Sequence, residues 1–294
     1  MEKPTVILEK ERDFTDLLNA TFAFIAQEFK MLFKVIGFYA GIFIIASAIM
    51  QSYYTENAFS GIISTFRNVF EGVVEGGDEV HFQPNIPMMF LMYIISLLSN
   101  FLICGLTFAY LAVYRDKGRN NFEMKDVWNA FLAKLPLALG LSIVTSLMII
   151  IGMMFCFIPG IYLCVPLSFV LIILYAENKD FGESIGRSFK LVSQNWWATF
   201  GFLIIVVLIV YMLASIFSVP ALVYGIIQGV TIASSETVGD ISTIPFVITT
   251  VVSGLGSGLV TPILYIAVGF QYFNLKEKKD KTSLFQRVSE ISNE

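Results

Sequence analysis

Residues 135–176 read LPLALGLSIVTSLMIIIGMMFCFIPGIYLCVPLSFVLIILYA, without one charged side chain. A helix of about 20 apolar residues crosses the roughly 30 Å hydrocarbon core of a bilayer, so this stretch is long enough to cross it twice. The segment FIPG at 157–160 interrupts the run, and its adjacent Pro and Gly favour a tight turn. The stretch therefore predicts a membrane hairpin whose two spans cover about 135–157 and 159–176.

Four further stretches have the length and composition of a membrane span, with Lys34 as their one charged residue. They cover residues 31–50, 88–114, 199–225 and 245–273. We therefore expect an all-α fold, a polytopic membrane helix bundle of six transmembrane helices. On this interpretation residues 1–30 form an N-terminal segment, 31–275 the membrane domain and 276–294 the tail.

The overall composition agrees with a membrane protein and excludes other classes. Hydrophobic residues make up 56% of the chain and charged residues 14%, whereas soluble domains usually carry about 25% charged residues. The net charge of −4 gives no overall basic field for nucleic acid. Cys104, Cys156 and Cys164 lie in apolar runs, and we expect no disulfide framework, although Cys156 and Cys164 flank the turn and could approach each other.

The distribution of cations predicts the orientation in the membrane. If the N-terminus faces the cytoplasm, every one of the 19 lysine and arginine residues except Arg67 lies in a cytoplasmic segment. Cytoplasmic loops of membrane proteins carry this excess of cations, so we expect both termini in the cytoplasm. The predicted outer loop 51–87 contains an amphipathic segment at 59–73, which we expect to lie on the outer membrane face or to cap the bundle.

Three more amphipathic segments precede pairs of predicted spans on the cytoplasmic side, at about 14–22, 122–131 and 181–189. The helix that begins with each segment carries aromatic residues on one face and charged residues on the other, which is typical of a cytoplasmic interfacial helix. The charged residues are Asp16 and Glu28, Lys125 and Asp126, and Arg187 and Lys190. The chain would then consist of three repeats, each made of one interfacial helix followed by one membrane hairpin. The side chains expected as interfacial anchors are Phe22, Phe131, Phe189, Trp196 and Trp197.

The sequence offers no set of residues for catalysis, for a cofactor or for a metal ion. His81 is the single histidine, and zinc or non-haem iron sites need several His and carboxylate ligands. A Ser-His or Cys-His pair at membrane depth is excluded for the same reason. We therefore expect a protein without enzymatic activity.

The predicted second span carries a polar stripe on one helical face. Ser96, Asn100, Cys104 and Thr107 recur every three or four residues. In lipid such a stripe must turn towards the protein interior. It could line a substrate cavity, or its side chains could simply bond to neighbouring helices, and we favour the second interpretation.

The predicted sixth span carries a ridge of small residues. Thr250, Gly254 and Gly258 recur at every fourth position, which lets another backbone approach closely. The ridge could mediate dimerisation or mark a broken helix at a binding site. Tight packing within one chain is the interpretation that we favour.

The residues around the hairpin resemble a known family. They are the segment FIPGIY at 157–162, the end of the following span at 175–177, and the segments SIGRSFKLV at 184–192 and NWW at 195–197. These are similar to a superfamily of bacterial six-span membrane domains that includes the membrane domain of glycerophosphoryl diester phosphodiesterases. The resemblance implies a stand-alone six-helix domain of a bacterial cytoplasmic (inner) membrane, without the catalytic domain, and it transfers no functional residues.

From these patterns we expect a non-enzymatic integral membrane protein that supports or regulates a membrane-protein partner, or organises lipid or envelope components. The expected partners are membrane lipids, a membrane protein or a second copy of the chain, with no nucleic acid, metal or cofactor. The alternative is a permease or exporter for an uncharged or amphipathic substrate. A water-accessible cavity that reaches Asn100 would favour the permease, and a dry interior would favour the scaffold.

Overall fold

A computed structural model describes residues 6–70, 85–155, 157–234 and 243–281, and within these ranges every regular element is an α-helix. The prediction of an all-α fold is therefore confirmed for the described residues. The helices, in chain order, are α1 Phe14–Tyr39, α2 Gly41–Phe70, α3 Ile86–Lys117, α4 Met124–Phe155, α5 Phe157–Leu167, α6 Val170–Glu177, α7 Phe181–Val192, α8 Trp196–Ser234 and α9 Thr243–Asp280.

Several of these helices have the length and apolar composition to cross a bilayer. Five candidate spans meet both criteria on their own: α3, α4, α5 taken together with α6, α8 and α9. The pair made by α1 and the first part of α2, up to Thr55, meets them only jointly. The described part of the chain is thus a multi-pass membrane protein with five or six candidate spans, and the count of six stays a prediction.

The beginning of the chain departs from the predicted boundaries. α1 runs without a break from the predicted interfacial segment into the predicted span 31–50, and the helix is then interrupted at Ala40. Gly37 and Gly41 flank the break, and glycine has a weak helix propensity. α4 is likewise continuous through Pro136, so that α7 is the one predicted interfacial helix that is separate, and the threefold repeat stays a prediction.

The two helices predicted within 135–176 form, but residues 157–160 are helical and do not make the predicted turn. α4 continues to Phe155 and α5 begins at Phe157, so the predicted turn residues 157–160 are the first turn of α5. Pro is tolerated in the first turn of a helix because its missing N–H would have no helical partner there. The two helices approach closely at a pair of glycines, since a Cβ atom added to Gly152 would lie 3.1 Å from Cα of Gly160.

The chain divides into two compact units. The first is drawn from Met1–Tyr39, Phe101–Val210 and Thr261–Glu294, and the second from Ala40–Asn100 and Tyr211–Val260. The boundaries fall within α3, α8 and α9, and each of these helices contributes to both units. The predicted terminal segment, membrane domain and tail are consecutive stretches of the chain. The two compact units are instead each assembled from separate stretches.

The first unit has an aromatic core. Phe24 of α1 is fully buried, and its ring contacts Tyr110, Tyr114 and Phe270 edge-on, with centroids 5.0–6.3 Å apart. Edge-to-face contacts at such distances are the favoured arrangement of aromatic rings. These contacts join α1, α3 and α9.

The segment before α1 packs on the same unit. Leu8 is buried, the backbone N–H of Arg12 donates to Oδ1 of Asn274 at 2.9 Å, and Lys276 pairs with Glu9 at 2.8 Å. Burial lowers the pKa of the Arg12 guanidinium below its ordinary value, which the nearby carboxylate of α1 offsets only in part. These contacts hold the chain start on the polar end of α9.

Most of what was predicted for the outer segment at 59–73 lies outside the described residues. Its first residues continue α2 to Phe70, and neither the side chains after residue 55 in this helix nor residues 71–84 belong to the described part.

Candidate functional site

A partly open cavity of about 770 Å³ lies within the first unit. Side chains of α3, α4, α5, α6, α8 and α9 line it, most of them aliphatic or aromatic, and the lining includes no charged residue among those described. Its volume falls in the range of about 300–1,000 Å³ that small-molecule sites occupy. The side chains of the lining that carry a polar group are Cys104, Thr145, Ser146, Cys164, Ser168 and Tyr265.

These polar groups offer little to a charged ligand. The hydroxyls of Thr145 and Ser168 donate to backbone carbonyls three or four residues earlier, at 2.7 and 2.8 Å. Cys104 and Cys164 are free thiols. Because burying a charge without a partner is costly, a lining of this kind suits an apolar chain better than a charged molecule.

The side of the cavity formed by α8 is open. Val207 and Leu208 line the cavity and are nevertheless 48% and 54% exposed. α8 has the length and hydropathy of a membrane span, so apolar side chains exposed on it face lipid. The cavity is therefore continuous with a lipid-facing surface.

A proline in α5 creates a hydrogen-bond site at the edge of the cavity. In an α-helix the carbonyl of Tyr162 would accept from the N–H of residue 166, but Pro166 has none. The indole Nε1–H of Trp196 donates to this carbonyl instead, at 3.2 Å. The Trp196 ring also stacks on Tyr162 and Phe200, with centroid distances of 5.3 and 5.0 Å. Because Phe200 lines the cavity, this aromatic cluster of Tyr162, Trp196 and Phe200 forms part of its edge.

Glu177, at the end of α6, joins three helices of the first unit. The Nε–H of Arg187 on α7 lies 3.2 Å from both carboxylate oxygens of Glu177, and the same guanidinium pairs with Asp280 on α9. The hydroxyl of Tyr272 donates to Glu177 at 2.9 Å. Burial alone would lower the pKa of Arg187, but the hydrogen bond to Asp280 and the charge of Glu177 raise it overall. In the sequence Arg187 was a cytoplasmic cation within the segment 184–192 of the resemblance, and its partners could not be found from local spacing.

Glu28 requires a correction, since we expected it on the wet face of an interfacial helix. It is 6% exposed, its Oε2 accepts from the Tyr110 hydroxyl at 2.7 Å, and Nε of Arg119 lies 3.0 Å from its Oε1 as an ion pair. A carboxylate is tolerated inside a protein when it is paired and hydrogen-bonded in this way. Glu28 therefore links α1 to α3 and to the loop that follows α3.

The polar stripe of α3 does not form one lining. Cys104 lines the cavity, whereas Thr107 is buried and donates to the carbonyl of Ile103 in its own helix. Asn100 is exposed and donates to the carbonyl of Ser96 at 3.0 Å, and it is not among the described residues that line the cavity. The expectation that Asn100 bonds to another helix was wrong, because an amide four residues after a carbonyl reaches it within the same helix.

The ridge on α9 packs against α2 within the second unit. A Cβ atom added to Gly254 would lie 2.8 Å from Cβ of Ala48, and one added to Gly258 would lie 2.7 Å from Cγ2 of Ile44. One turn further, Thr250 donates to Oγ of Ser52 at 2.8 Å. The ridge therefore serves close packing between two helices of one chain.

Phe131 is the interfacial anchor that the structure places inside the protein. It is buried, and its ring lies near those of Phe101 and Trp128. Gly105 of α3 leaves room for it, because a Cβ atom there would lie 2.5 Å from the Phe131 ring. Protein contacts have thus replaced the lipid contact that we expected.

The other anchors vary in exposure. Phe22 and Trp197 are exposed, the latter by 78%, whereas Phe189 is half-buried. On α7 the buried positions are Ser184, Ser188, Leu191 and Val192, so the buried face is offset from Phe181 and Phe189, which are half-buried. Small hydroxyl residues allow α7 to lie close to its neighbours, which hydrophobicity alone does not indicate.

Within the described ranges no three His, Cys, Asp or Glu side chains come close enough together to hold a metal ion. His81 and Cys156, which carried the sequence arguments about metal sites and a disulfide, lie outside these ranges.

A sequence profile described as a domain of unknown function (DUF7847) matches residues 91–273. The match spans more than half of the chain, so the protein belongs to this family. All residues that line the cavity lie within the matched region. No curated protein and no solved structure matches the chain.

Proposed function

We propose that this member of the family is a non-enzymatic integral membrane protein that holds one apolar chain of a membrane amphiphile in its cavity, and thereby organises lipid or supports a membrane partner. The observation that carries the proposal is the uncharged lining, which is open along α8 to the lipid-facing surface. An apolar chain can enter from this side without leaving a hydrocarbon environment.

The alternative is a permease or exporter for an uncharged or amphipathic substrate. A water-filled pathway would be favoured by polar side chains with free hydrogen-bonding groups along the cavity. Instead, the hydroxyls of Thr145 and Ser168 are bonded to backbone carbonyls, which leaves only those of Ser146 and Tyr265 in the described lining, and Asn100 does not contribute to it. Lipid binding accounts for these observations better than passage of a hydrated substrate.

We place the protein in a bacterial cytoplasmic membrane with both termini in the cytoplasm. The cation distribution supports this orientation, since Arg67 alone of the 19 lysine and arginine residues falls outside. Reporter fusions at residue 80 and at the C-terminus would test it. An externally active C-terminal reporter would contradict the orientation.

The proposed function is tested by filling the cavity. Thr145→Phe combined with Val207→Phe places two large side chains in the lining, so saturable binding of a radiolabelled phospholipid to the purified protein should be lost. The control pair, Ser215→Phe with Val219→Phe, adds similar bulk on the exposed surface of α8, where neither residue lines the cavity. Equal binding by the two variants, both folded, would refute the proposal.

A further inference from the structure

We infer that the cavity accepts a lipid chain from one leaflet only, the leaflet at the polar end of the first unit, where Arg115, Trp196 and Lys276 lie. This inference rests on the proposed function and specifies its ligand: a membrane lipid whose head remains at the aromatic cluster while one chain extends into the cavity.

The depth of the cavity follows from three helices. On α8 the lining begins at Phe200 and ends at Leu208, twelve residues after Trp196, which corresponds to about 18 Å at 1.5 Å per residue. On α9 the deepest lining residue, Leu264, lies twelve residues before Lys276, or about 18 Å. On α3 the lining residue Cys104 lies eleven residues before Arg115, or about 16 Å.

Half a bilayer measures about 20 Å when its headgroup region is included. Distances of about 16–18 Å from a charged or interfacial residue therefore end near the midplane. α3, α8 and α9 agree on this depth. The cavity is thus confined to a single leaflet and cannot form a path across the membrane.

The position of α5 agrees with this depth. Tyr162 adjoins the lining residue Ile161, and its carbonyl accepts the Trp196 indole N–H at 3.2 Å. Tryptophan in a membrane protein prefers the headgroup level. The beginning of α5 is therefore held at the level of this tryptophan. Glu177, at the end of α6, is bonded to Arg187 and Tyr272 at the same polar end, so on this inference α5 and α6 enter and leave one leaflet and do not form the crossing span that the sequence predicts. The aromatic cluster marks the end of the cavity where the lipid head would lie.

The surroundings of the open side of the cavity indicate which ligand enters it. Val207 and Leu208 face the acyl chains of the bilayer and also line the cavity, so a neighbouring lipid can place a chain there while its head stays at the surface. In the proposed orientation this is the cytoplasmic leaflet, because Arg115 and Lys276 belong to the cation-rich side.

The inference is tested by tryptophan fluorescence with phospholipids that carry bromine, a quencher, near either the ester end or the methyl end of the chain. One reporter keeps Trp196 alone, through Trp128→Phe and Trp197→Phe. The other replaces all three tryptophans with Phe and adds Leu208→Trp at the deep end. Leu264→Trp provides a second deep reporter on α9 should the first fail to fold.

Trp196 should lose more fluorescence with the ester-end bromine, and the deep reporter should lose more with the methyl-end bromine. The cavity-filling pair, introduced into each reporter, identifies which part of the quenching comes from the cavity. A reversed pattern, or equal quenching at both depths, would overturn the one-leaflet site while leaving lipid binding intact. Quenching that the cavity-filling pair leaves unchanged would refute lipid binding and the one-leaflet site together.

Discussion

The two compact units bury their side chains by different means. In the first unit large rings fill the core around Phe24, and a buried carboxylate such as Glu28 is paired with groups from distant parts of the chain. In the second unit α9 meets α2 through small residues, with Gly254 against Ala48 and a hydroxyl bond from Thr250 to Ser52.

The difference shows which interactions hold the helices of each unit together. Aromatic cores and paired charges resemble the interior of a water-soluble protein, where apolar burial from water provides the driving force. Close packing of small residues is what associates helices in lipid, where burial of apolar surface provides little. The first unit also holds the cavity, so the unit with the polar networks is the one that carries the candidate site.

The largest effect is expected from the aromatic core of the first unit. Phe24→Ala removes a fully buried ring that contacts three other rings, and it should lower the free energy of unfolding by about 3–5 kcal/mol. Denaturant titration in mild detergent would measure this loss. Phe38→Ala on the same helix is the control, since Phe38 is 74% exposed and should contribute much less. Similar losses for the two variants would mean that the ring cluster is not a packed core.

A smaller effect is expected from the close packing of the second unit. Gly254→Ala adds a Cβ atom 2.8 Å from Cβ and 3.1 Å from Cα of Ala48, so the helices must shift at a cost of about 1–3 kcal/mol. Gly201→Ala is the matched control, because nothing lies within 4 Å of its added Cβ atom. Thermal unfolding of both variants in detergent would compare them. If the two variants melt together, close backbone approach does not hold the second unit.

The sequence was sufficient for features that depend on local composition. The helical hairpin within 135–176 could be predicted because length and hydropathy are properties of one segment. The ridge of Thr250, Gly254 and Gly258 was predicted to pack closely, and the structure adds that α2 is its partner within the same chain.

Features that depend on distant partners could not be predicted. Glu28 and Tyr110 are 82 residues apart, and no local pattern indicates that a carboxylate on an amphipathic helix will be paired and buried. The prediction of a turn at 157–160 was wrong because Pro159 and Gly160 were interpreted as turn residues, although both are accommodated in the first turn of α5. Of the stripe that we considered as a possible cavity lining, Cys104 alone lines the described cavity, because the lining comes from six helices whose arrangement in space composition does not give. The resemblance to the phosphodiesterase membrane domain stays a prediction.

The smallest loss of stability is expected from removing the indole N–H of Trp196, the side-chain donor at the edge of the cavity in the first unit. Trp196→Phe preserves stacking on Tyr162 and Phe200 but removes the indole N–H, so the Tyr162 carbonyl loses its donor. The loss should be about 0.5 kcal/mol, at the low end for a hydrogen bond, because the site is accessible to water. Trp197→Phe, which alters a largely exposed ring, should change stability less.

The physical cause of this bond can be tested through Pro166. Pro166→Ala supplies the missing backbone N–H, which can then donate to the Tyr162 carbonyl as in an unbroken helix. In that background the indole donor is redundant, so Trp196→Phe should cost nothing measurable beyond altered packing. A double-mutant cycle between the two positions, measured by unfolding in detergent, should therefore give a coupling energy equal to the effect of Trp196→Phe alone. Additive effects would show that the indole donor does not replace the N–H that Pro166 lacks, and the first unit would then be held at this edge by ring stacking alone.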